Sequence, residues 1–295
     1  MSNNQVAVQE KTVVDNVINR VREFENTGQL TFPADYLPEN ALRSAYLTLQ
    51  DSSALTTCST ASIANALLSM VVQGLNVDRN QGYFIAYGKK LSFQRSYFGN
   101  MTLAKRLNPD IDEIFGMTVY EDDEFEYEIK HGKHIITKHR QKIQNVNKNK
   151  IVAAYGTILY KDGKEISEVS TFEQIKQAWR QSKMNPVDDK GNIKANSTHG
   201  KFTAEMAERT AINKVCKRVI NSSSDKSITA QFAKKLDSEV AEMETEMIIE
   251  ENANQEYLDF ADEETGEILD GEVVEEEPEV VEEEEQITID DEAPY

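Results

Sequence analysis

Residues 62–106 read SIANALLSMVVQGLNVDRNQGYFIAYGKKLSFQRSYFGNMTLAKR, and the spacing of apolar residues changes twice within them. Up to Gly74 the segment is apolar on almost every side, as a buried helix is. Ser59 or Thr60 stands where a cap is needed, and the glycine stands where such a helix stops. From Gly82 the period drops to two. GYFIAYG and KKLSFQRSYF read as strands joined tightly at Gly88, a hairpin. NMTLAKRL (100–107) then returns to helical spacing. A buried helix, a hairpin and a second helix in succession set the class as α+β.

The same reading extends in both directions. Upstream, Val14, Val17, Ile18, Val21 and Phe24 have helical spacing before a stop at Gly28, and PENALRSAYLTLQ (38–50) is a second helix with Pro38 in its first turn. Downstream, MTVYEDDEFEYEIK and HIITKH read as strands. IVAAYGTILY and EISEVS flank Lys161-Asp162-Gly163, a good hairpin turn. A helix over TFEQIKQAWRQSK (171–183), a loop rich in Asn, Lys and Gly, and a helix over about 202–220 complete the core. The expected architecture is therefore N-terminal helices, antiparallel hairpins and packed helices in one core. Beyond Ser222, the residues Ile228, Phe232, Leu236, Val240, Met243 and Met247 are spaced for a further helix. After about Asn252 the chain is acidic, punctuated by proline and poor in aromatics, a composition that predicts disorder. The divisions expected are 1–58, a helical segment suited to oligomer contacts; 59–222, the core; 223–251, a helix for partner contacts; and 252–295, the acidic tail.

The formal net charge is −20, yet it is unevenly placed. From Leu236 to Tyr295 there are 26 Asp/Glu and no Lys/Arg, which leaves 26 acidic and 32 basic residues in 1–235, a net +6. A mildly basic body thus carries an intensely acidic tail, and the overall pI describes neither. No apolar run approaches membrane-spanning length, and MSNNQVAVQEK lacks the apolar core of a signal peptide. Cys58 and Cys216 are expected as buried thiols of a cytoplasmic protein.

Two basic surfaces stand out. In the hairpin, alternation puts Lys89, Leu91, Phe93, Arg95 and Tyr97 on one face and Lys90, Ser92, Gln94, Ser96 and Phe98 on the other, so cations mix with aromatics on both. In TAEMAERTAINKVCKRVI, about 100° per residue gathers Ala211, Ile212, Val215, Cys216 and Val219 in one arc, with Arg209, Lys214, Lys217 and Arg218 over the opposite half. An ordinary amphipathic hairpin and a solvated helix face have the same composition. Two such faces in one domain, with Lys105 and Arg106 in the helix after the hairpin, make a phosphate-tracking groove the better account.

Signals for catalysis are weak. Gly200-Lys201 has Ala195 where a P-loop needs its first glycine. His131, His134 and His139 lie among basic residues without cysteine partners and read as solvated surface histidines, not zinc ligands. Asp110 with Glu128 and Lys130 mimics the carboxylates and lysine of a Mg2+-dependent nuclease. Alternation along one strand produces the Glu128/Lys130 pair without any such function. A metal-dependent nuclease, and a passive single-strand protector, stay open as alternatives.

The quoted stretch resembles the core of the RecT/Redβ-type phage recombinases, the RecT branch in particular. VYEDDEFEYEIK resembles that family's acidic-aromatic strand, AAYGTILYKDGKEISEVSTFEQI its hairpin and helix, and EMAERTAINKVCKRVINSS its most recognisable helix. The resemblance covers about 60–222. It departs at Phe98-Gly99-Asn100, where the family has an aromatic, a Lys/Arg and a glycine, and at His199, Lys201 and Phe202, where a tryptophan is common. The resemblance implies a single-strand annealing protein that needs no ATP, forms rings or helical filaments, and holds single-stranded DNA and the annealed duplex. It also implies a phage or prophage origin, action in the bacterial cytoplasm, and a phage exonuclease and host single-stranded DNA-binding or repair proteins as partners through the C-terminal region. No cofactor is expected; Mg2+ enters only as an aid to DNA binding. The phosphate-binding residues expected are Lys89, Lys90, Arg95, Lys105 and Arg106 on the hairpin side and Lys201, Arg209, Lys214, Lys217 and Arg218 opposite, with Tyr97 or Phe98 against the bases. The tail reads as a solubilising segment, a DNA mimic or a docking segment. Its terminus, ITIDDEAPY, resembles the acidic, then Pro-aromatic, end of bacterial single-stranded DNA-binding proteins, which would let it compete for their docking pockets.

Overall fold

The computed structural model describes residues 3–50, 52–182, 185–223 and 227–239, the first ten of these as backbone only. The expectations for Val240, Met243, Met247 and the acidic tail lie outside the described residues. The chain order begins with α1 (Asn3–Asn26), α2 (Pro38–Gln50), α3 (Ala54–Thr57) and α4 (Thr60–Val72). The hairpin β1 (Gly82–Tyr87) and β2 (Lys90–Arg95) follows, then α5 (Tyr97–Leu107). Next come β3 (Ile111–Tyr120), β4 (Glu124–Lys130), β5 (Lys133–Arg140), β6 (Ile151–Tyr160) and β7 (Glu165–Thr171). The helices α6 (Phe172–Arg180), α7 (Thr198–Lys201) and α8 (Thr203–Asn221) close the core, and 228–239 is helical and is called α9. No helix among the described residues is long and apolar enough to cross a membrane.

Local chemistry explains most boundaries. Ser59 accepts a hydrogen bond from the Ser62 amide at the start of α4, a cap of about 1 kcal/mol. Gly74 follows that helix with φ +66°, and Gly28 follows α1 with φ +70°, the left-handed backbone that glycine adopts without a steric cost. Thr171 and Gln174 form a reciprocal capping box on α6. One boundary corrects the sequence reading. Strand β2 stops at Arg95, and Ser96 accepts from the Gly99 amide, so Tyr97 and Phe98 belong to the first turn of α5 and not to the strand. The hairpin also has no free face of mixed charge at its centre: Leu91, Ser92 and Phe93 are all buried.

The five-stranded antiparallel sheet has the order β3-β6-β7-β5-β4. Helix α8 crosses β3 and β6, and the sheet makes room for it with a glycine pair. Gly116 lies opposite Gly156 in register. A Cβ on Gly156 would stand 2.5 Å from the Ala211 carbonyl oxygen, and one on Gly116 2.9 Å from Ile212 Cγ1. Small residues on the helix complete the close approach, with Ala207, Ala211 and Cys216 fully buried.

Two larger cores result. One joins α1, α2, α4 and the hairpin through residues such as Phe24, Tyr46, Leu67, Met70 and Phe93. The other joins α5, β3, β6 and α8 through Leu103, Ile114, Ile158 and Val215. Helix α9 belongs to both, since Leu236 is in the first and Ala233 in the second. Phe232 meets Phe24 edge-on at 6.2 Å, and Thr229 Oγ1 donates to the Val72 carbonyl at 3.2 Å. The segment 223–251, expected to serve partner contacts, thus packs over 228–239 against both cores.

Candidate nucleic-acid interface

With its apolar arc on the sheet, α8 presents Thr210, Asn213, Lys214 and Lys217 to a groove of about 650 Å³. The facing wall is Gln94 and Arg95 of β2, Asn100 of α5, and Leu236 and Asp237 of α9; Ser170, Gln174 and Trp179 close one end. The lining is rich in amides and hydroxyls. Asn100 Nδ2 donates to Asn213 Oδ1 at 2.8 Å, tying α5 to α8 across the floor. Lys214 Nζ donates to Ser170 Oγ at 3.0 Å, and Trp179 Nε1 donates to Thr210 Oγ1 at 2.8 Å. Lys217 is exposed and has no ion-pair partner among the described residues. Just outside, the Arg209 guanidinium lies over the Tyr97 ring at 5.1 Å, and Tyr97 packs on Phe98 with centroids 4.0 Å apart. Phe98 is itself 44% exposed.

Arg95 forms part of this wall, but its guanidinium is already occupied. Its side chain is 3% exposed and pairs with Asp237 at 2.6 Å. It also donates to Asn100 Oδ1 at 2.7 Å and to Gln73 Oε1 at 2.8 Å. A guanidinium with that many acceptors is a structural tie among β2, α4, α5 and α9.

The remaining predicted cations are dispersed. Lys89 and Lys90 are exposed at the hairpin turn, which is anchored where the Ser59 amide donates to the Lys89 carbonyl at 2.9 Å. Lys90 borders a separate hollow beside Lys235 and Phe232, on the other flank of α9. Lys105 donates to the Asp112 carbonyl at 2.6 Å. Arg106 turns away from the groove: it donates to the Gln73 carbonyl at 2.8 Å and lies 5.2 Å over the Tyr36 ring. There it caps α4 in the notch that Gly74 leaves open. Burial lowers its pKa, with Tyr36 and Asp35 opposing. Arg218 pairs with Glu168 on β7. Lys201 is exposed beside His199, whose pKa is lowered by burial and then by Arg209. The structure thus unites Arg95, Lys214 and Lys217 on one groove, with Arg209, Tyr97 and Phe98 at its flank, and leaves Lys105, Arg106, Lys89, Lys90 and Arg218 elsewhere.

The nuclease pattern does not assemble. Asp110 immediately precedes β3 at one edge of the sheet, and Glu128 is on β4 at the other, four strand spacings or about 19 Å apart. Lys130 simply pairs with Glu128 at 2.6 Å. The histidine reading also needs correction at two positions: His134 is 24% exposed and accepts from the Val169 amide at 3.4 Å. His139 is 9% exposed, with Nε2 3.3 Å from Asp123 and Nδ1 3.0 Å from the Tyr155 hydroxyl, inside an aromatic cluster with Phe125.

Sequence reasoning missed Asn100, Asn213 and Asp237. The asparagines carry no charge signal, and Asp237 reads as the first residue of an acidic tail. The one available hint was Asn100 itself, a buried amide that falls in the departure at Phe98-Gly99-Asn100.

No curated protein matches the chain. The RecT family model matches residues 39–253, well over half of the sequence and wider than the resemblance over about 60–222. The chain belongs to the RecT family, whose members act in phage-type single-strand annealing recombination, bind single-stranded DNA and self-associate.

Proposed function

We propose that this RecT-family chain anneals complementary single strands without ATP, as a ring or filament of many copies. The observation that carries the reading is the α8 groove, where Lys214 and Lys217 stand beside a neutral amide floor and Arg209 is propped on an aromatic pair. From Arg209 to Lys217 the helix rises about 12 Å, enough to face three or so phosphates at about 3.4 Å per B-form strand step. Cations so placed neutralise one backbone. Amide and hydroxyl neighbours satisfy sugars and phosphates without demanding a base sequence. Bases left outward can then pair with a second strand.

One groove binds weakly. Repetition along an oligomer makes each further contact intramolecular, so a long strand is held far more tightly than a short one. Within this reading Lys201, Arg209, Lys214 and Lys217 contact phosphate, Lys89 and Lys90 reach the strand from the hairpin turn, and Tyr97 or Phe98 lies against a base or sugar. Arg95 holds the groove wall, while Lys105 and Arg106 are structural ties outside the groove. The protein works in the cytoplasm of a bacterial host beside a phage exonuclease, and Mg2+ acts only on DNA affinity.

The test mixes the purified protein, without nucleotide, with two complementary labelled oligonucleotides added in turn. Intact strands that pair faster than the protein-free control, in large assemblies, are expected. Binding without faster pairing would make the protein a protector, and strands shortened in an EDTA-sensitive way would make it a nuclease.

A further inference from the structure

Residues 130–150 hold seven Lys/Arg and no Asp/Glu, the densest cationic run of the chain. We propose that the loop between β5 and β6, led by Arg140, Lys142 and Lys148, is a second phosphate-binding surface that extends the α8 track beyond Lys201. The inference rests on the annealing reading and deepens it.

The loop is held from beneath by one buried carboxylate. Asp123 has a solvent-inaccessible side chain and accepts from Gln141 Nε2 at 2.8 Å, Asn145 Nδ2 at 2.9 Å and the Tyr120 amide at 3.0 Å. Gln141 also donates to the Thr118 carbonyl at 3.1 Å, and Asn145 to the Asp122 carbonyl at 2.8 Å. Gln141 and Asn145 are therefore pinned inward, while Arg140, Lys142, Ile143 and Gln144 beside and between them are exposed. Arg140 and Lys142 are exposed with no ion-pair partner among the described residues. Lys138 and Lys150, by contrast, are taken by Glu124 at 2.7 Å and Asp122 at 3.0 Å. Ile143 is 83% exposed and Val146 is 51% exposed, an apolar tip that water does not favour.

The loop also meets the proposed α8 track. Lys148 Nζ donates to the Gly200 carbonyl at 3.3 Å, so the exposed Lys201 is the next residue along. Phe202, which is 54% exposed, leads directly into α8. Lys148 thus joins the loop to Lys201 and, through Phe202, to the start of α8. A cation-rich loop with two apolar side chains at its tip fits a strand with a charged backbone and apolar sugar and base faces. Because the loop is already pinned, its cations need little ordering on binding. The same charge also fits an acidic face on a second copy; the charge density and the link to Lys201 favour nucleic acid.

The test uses the full chain and a labelled oligothymidylate over a salt series. Arg140→Gln with Lys142→Gln should keep the parent circular dichroism and melting. It should lower the slope of log K against log salt by about 1.4, with about ten-fold weaker binding near 0.15 M salt. Ile143→Ser should weaken binding without changing the slope. Lys217→Gln runs beside them, with an expected slope change of about 0.7. If the double variant matches the parent while Lys217→Gln is impaired, the loop proposal is overturned and the groove stands. If neither variant lowers the slope, both readings fall. An unchanged slope with altered DNA-free sedimentation would make the loop a contact between copies and would equally overturn the proposal.

Discussion

Asp237 accepts a hydrogen bond from Arg95 at 2.6 Å across 142 residues of sequence, and the pair locks α9 to the wall of the groove. Arg95 is almost wholly enclosed, so removing it takes a donor from Gln73, Asn100 and Asp237 together. Arg95→Ala is expected to cost about 2–3 kcal/mol, since Gln73 and Asn100 lose a buried donor while Asp237, 36% exposed, can turn to water. Asp237→Asn keeps an acceptor and should cost about 1 kcal/mol. Urea unfolding measures both. Where Arg95→Ala is still folded, its DNA affinity should have the parent salt slope; a reduced slope would show that Arg95 contacts phosphate after all.

On α8 the expected behaviour is different. Arg209→Glu and Lys217→Glu should leave stability near the parent value, since both side chains are exposed. Each should weaken binding to homopolymer and mixed-sequence strands by the same factor, because phosphate contacts carry no sequence information. Fluorescence anisotropy on a set of strands decides this. Loss confined to some sequences, or none at moderate salt, would contradict the groove assignment.

The glycine pair under α8 gives an ordered pair of outcomes. A Cβ at Gly156 meets the Ala211 carbonyl oxygen at 2.5 Å, whereas at Gly116 the nearest backbone atom is the Glu208 carbonyl oxygen at 3.0 Å and the nearest side-chain atom Ile212 Cγ1 at 2.9 Å. Gly156→Ala should therefore cost about 3 kcal/mol, at the upper end of overpacking effects, and Gly116→Ala about 1 to 2. Thermal unfolding of the two variants checks the order. Equal costs would mean that helix and sheet can separate at this crossing more easily than the packing indicates.

Cys216 sits at the centre of the same contact, fully buried, and burial pushes its thiol up to about 12. The thiolate is the reactive form. At pH 8 a thiol reagent should therefore leave Cys216 untouched in the native protein and modify it only as urea unfolds the chain. Mass spectrometry of the tryptic peptide reports the modification. Labelling of the native protein at the unfolded rate would place Cys216 at an accessible surface.

Period and punctuation made most of the fold legible. The strands over Ile151–Tyr160 and Glu165–Thr171 and the helices after Ser59 and Thr171 follow from alternation, glycines and caps, which are local. Tyr97 and Phe98 were misplaced because aromatics suit a strand; Ser96, a cap with Gly99 at the third position, was the competing local signal. The site was only half legible. Helical spacing placed Lys214 and Lys217 together, since that geometry is fixed within one element. Whether Arg95, Arg106 or Arg218 is free depends on partners 33 to 142 residues away, and no spacing rule reaches that far. His139 was read as surface for the same reason: its acceptor Asp123 lies across a hairpin.

Asp123 itself makes the last expectation. Burial alone would raise its pKa, but hydrogen bonds from Gln141, the Tyr120 amide, Asn145 and His139 outweigh burial and hold it below the ordinary value of 3.8. A carboxylate depressed on folding contributes stability that is complete above its unfolded value and is lost as pH falls through the lower folded one. The β5–β6 loop should therefore stay pinned throughout the neutral range and loosen only below about pH 4. Asp123→Asn removes the charge at every pH and turns one acceptor into a donor facing the amides of Gln141 and Asn145. It should cost about 2 kcal/mol, flatten the acid limb of the stability profile, and speed amide exchange at residues 139–146 at neutral pH. Hydrogen exchange read by mass spectrometry separates these effects from global destabilisation. If exchange rises evenly over the chain instead, Asp123 supports the whole sheet and the loop is not its particular charge. If exchange rises only in the loop, DNA affinity should fall with it, because Arg140 and Lys142 then have to be ordered by the strand they bind.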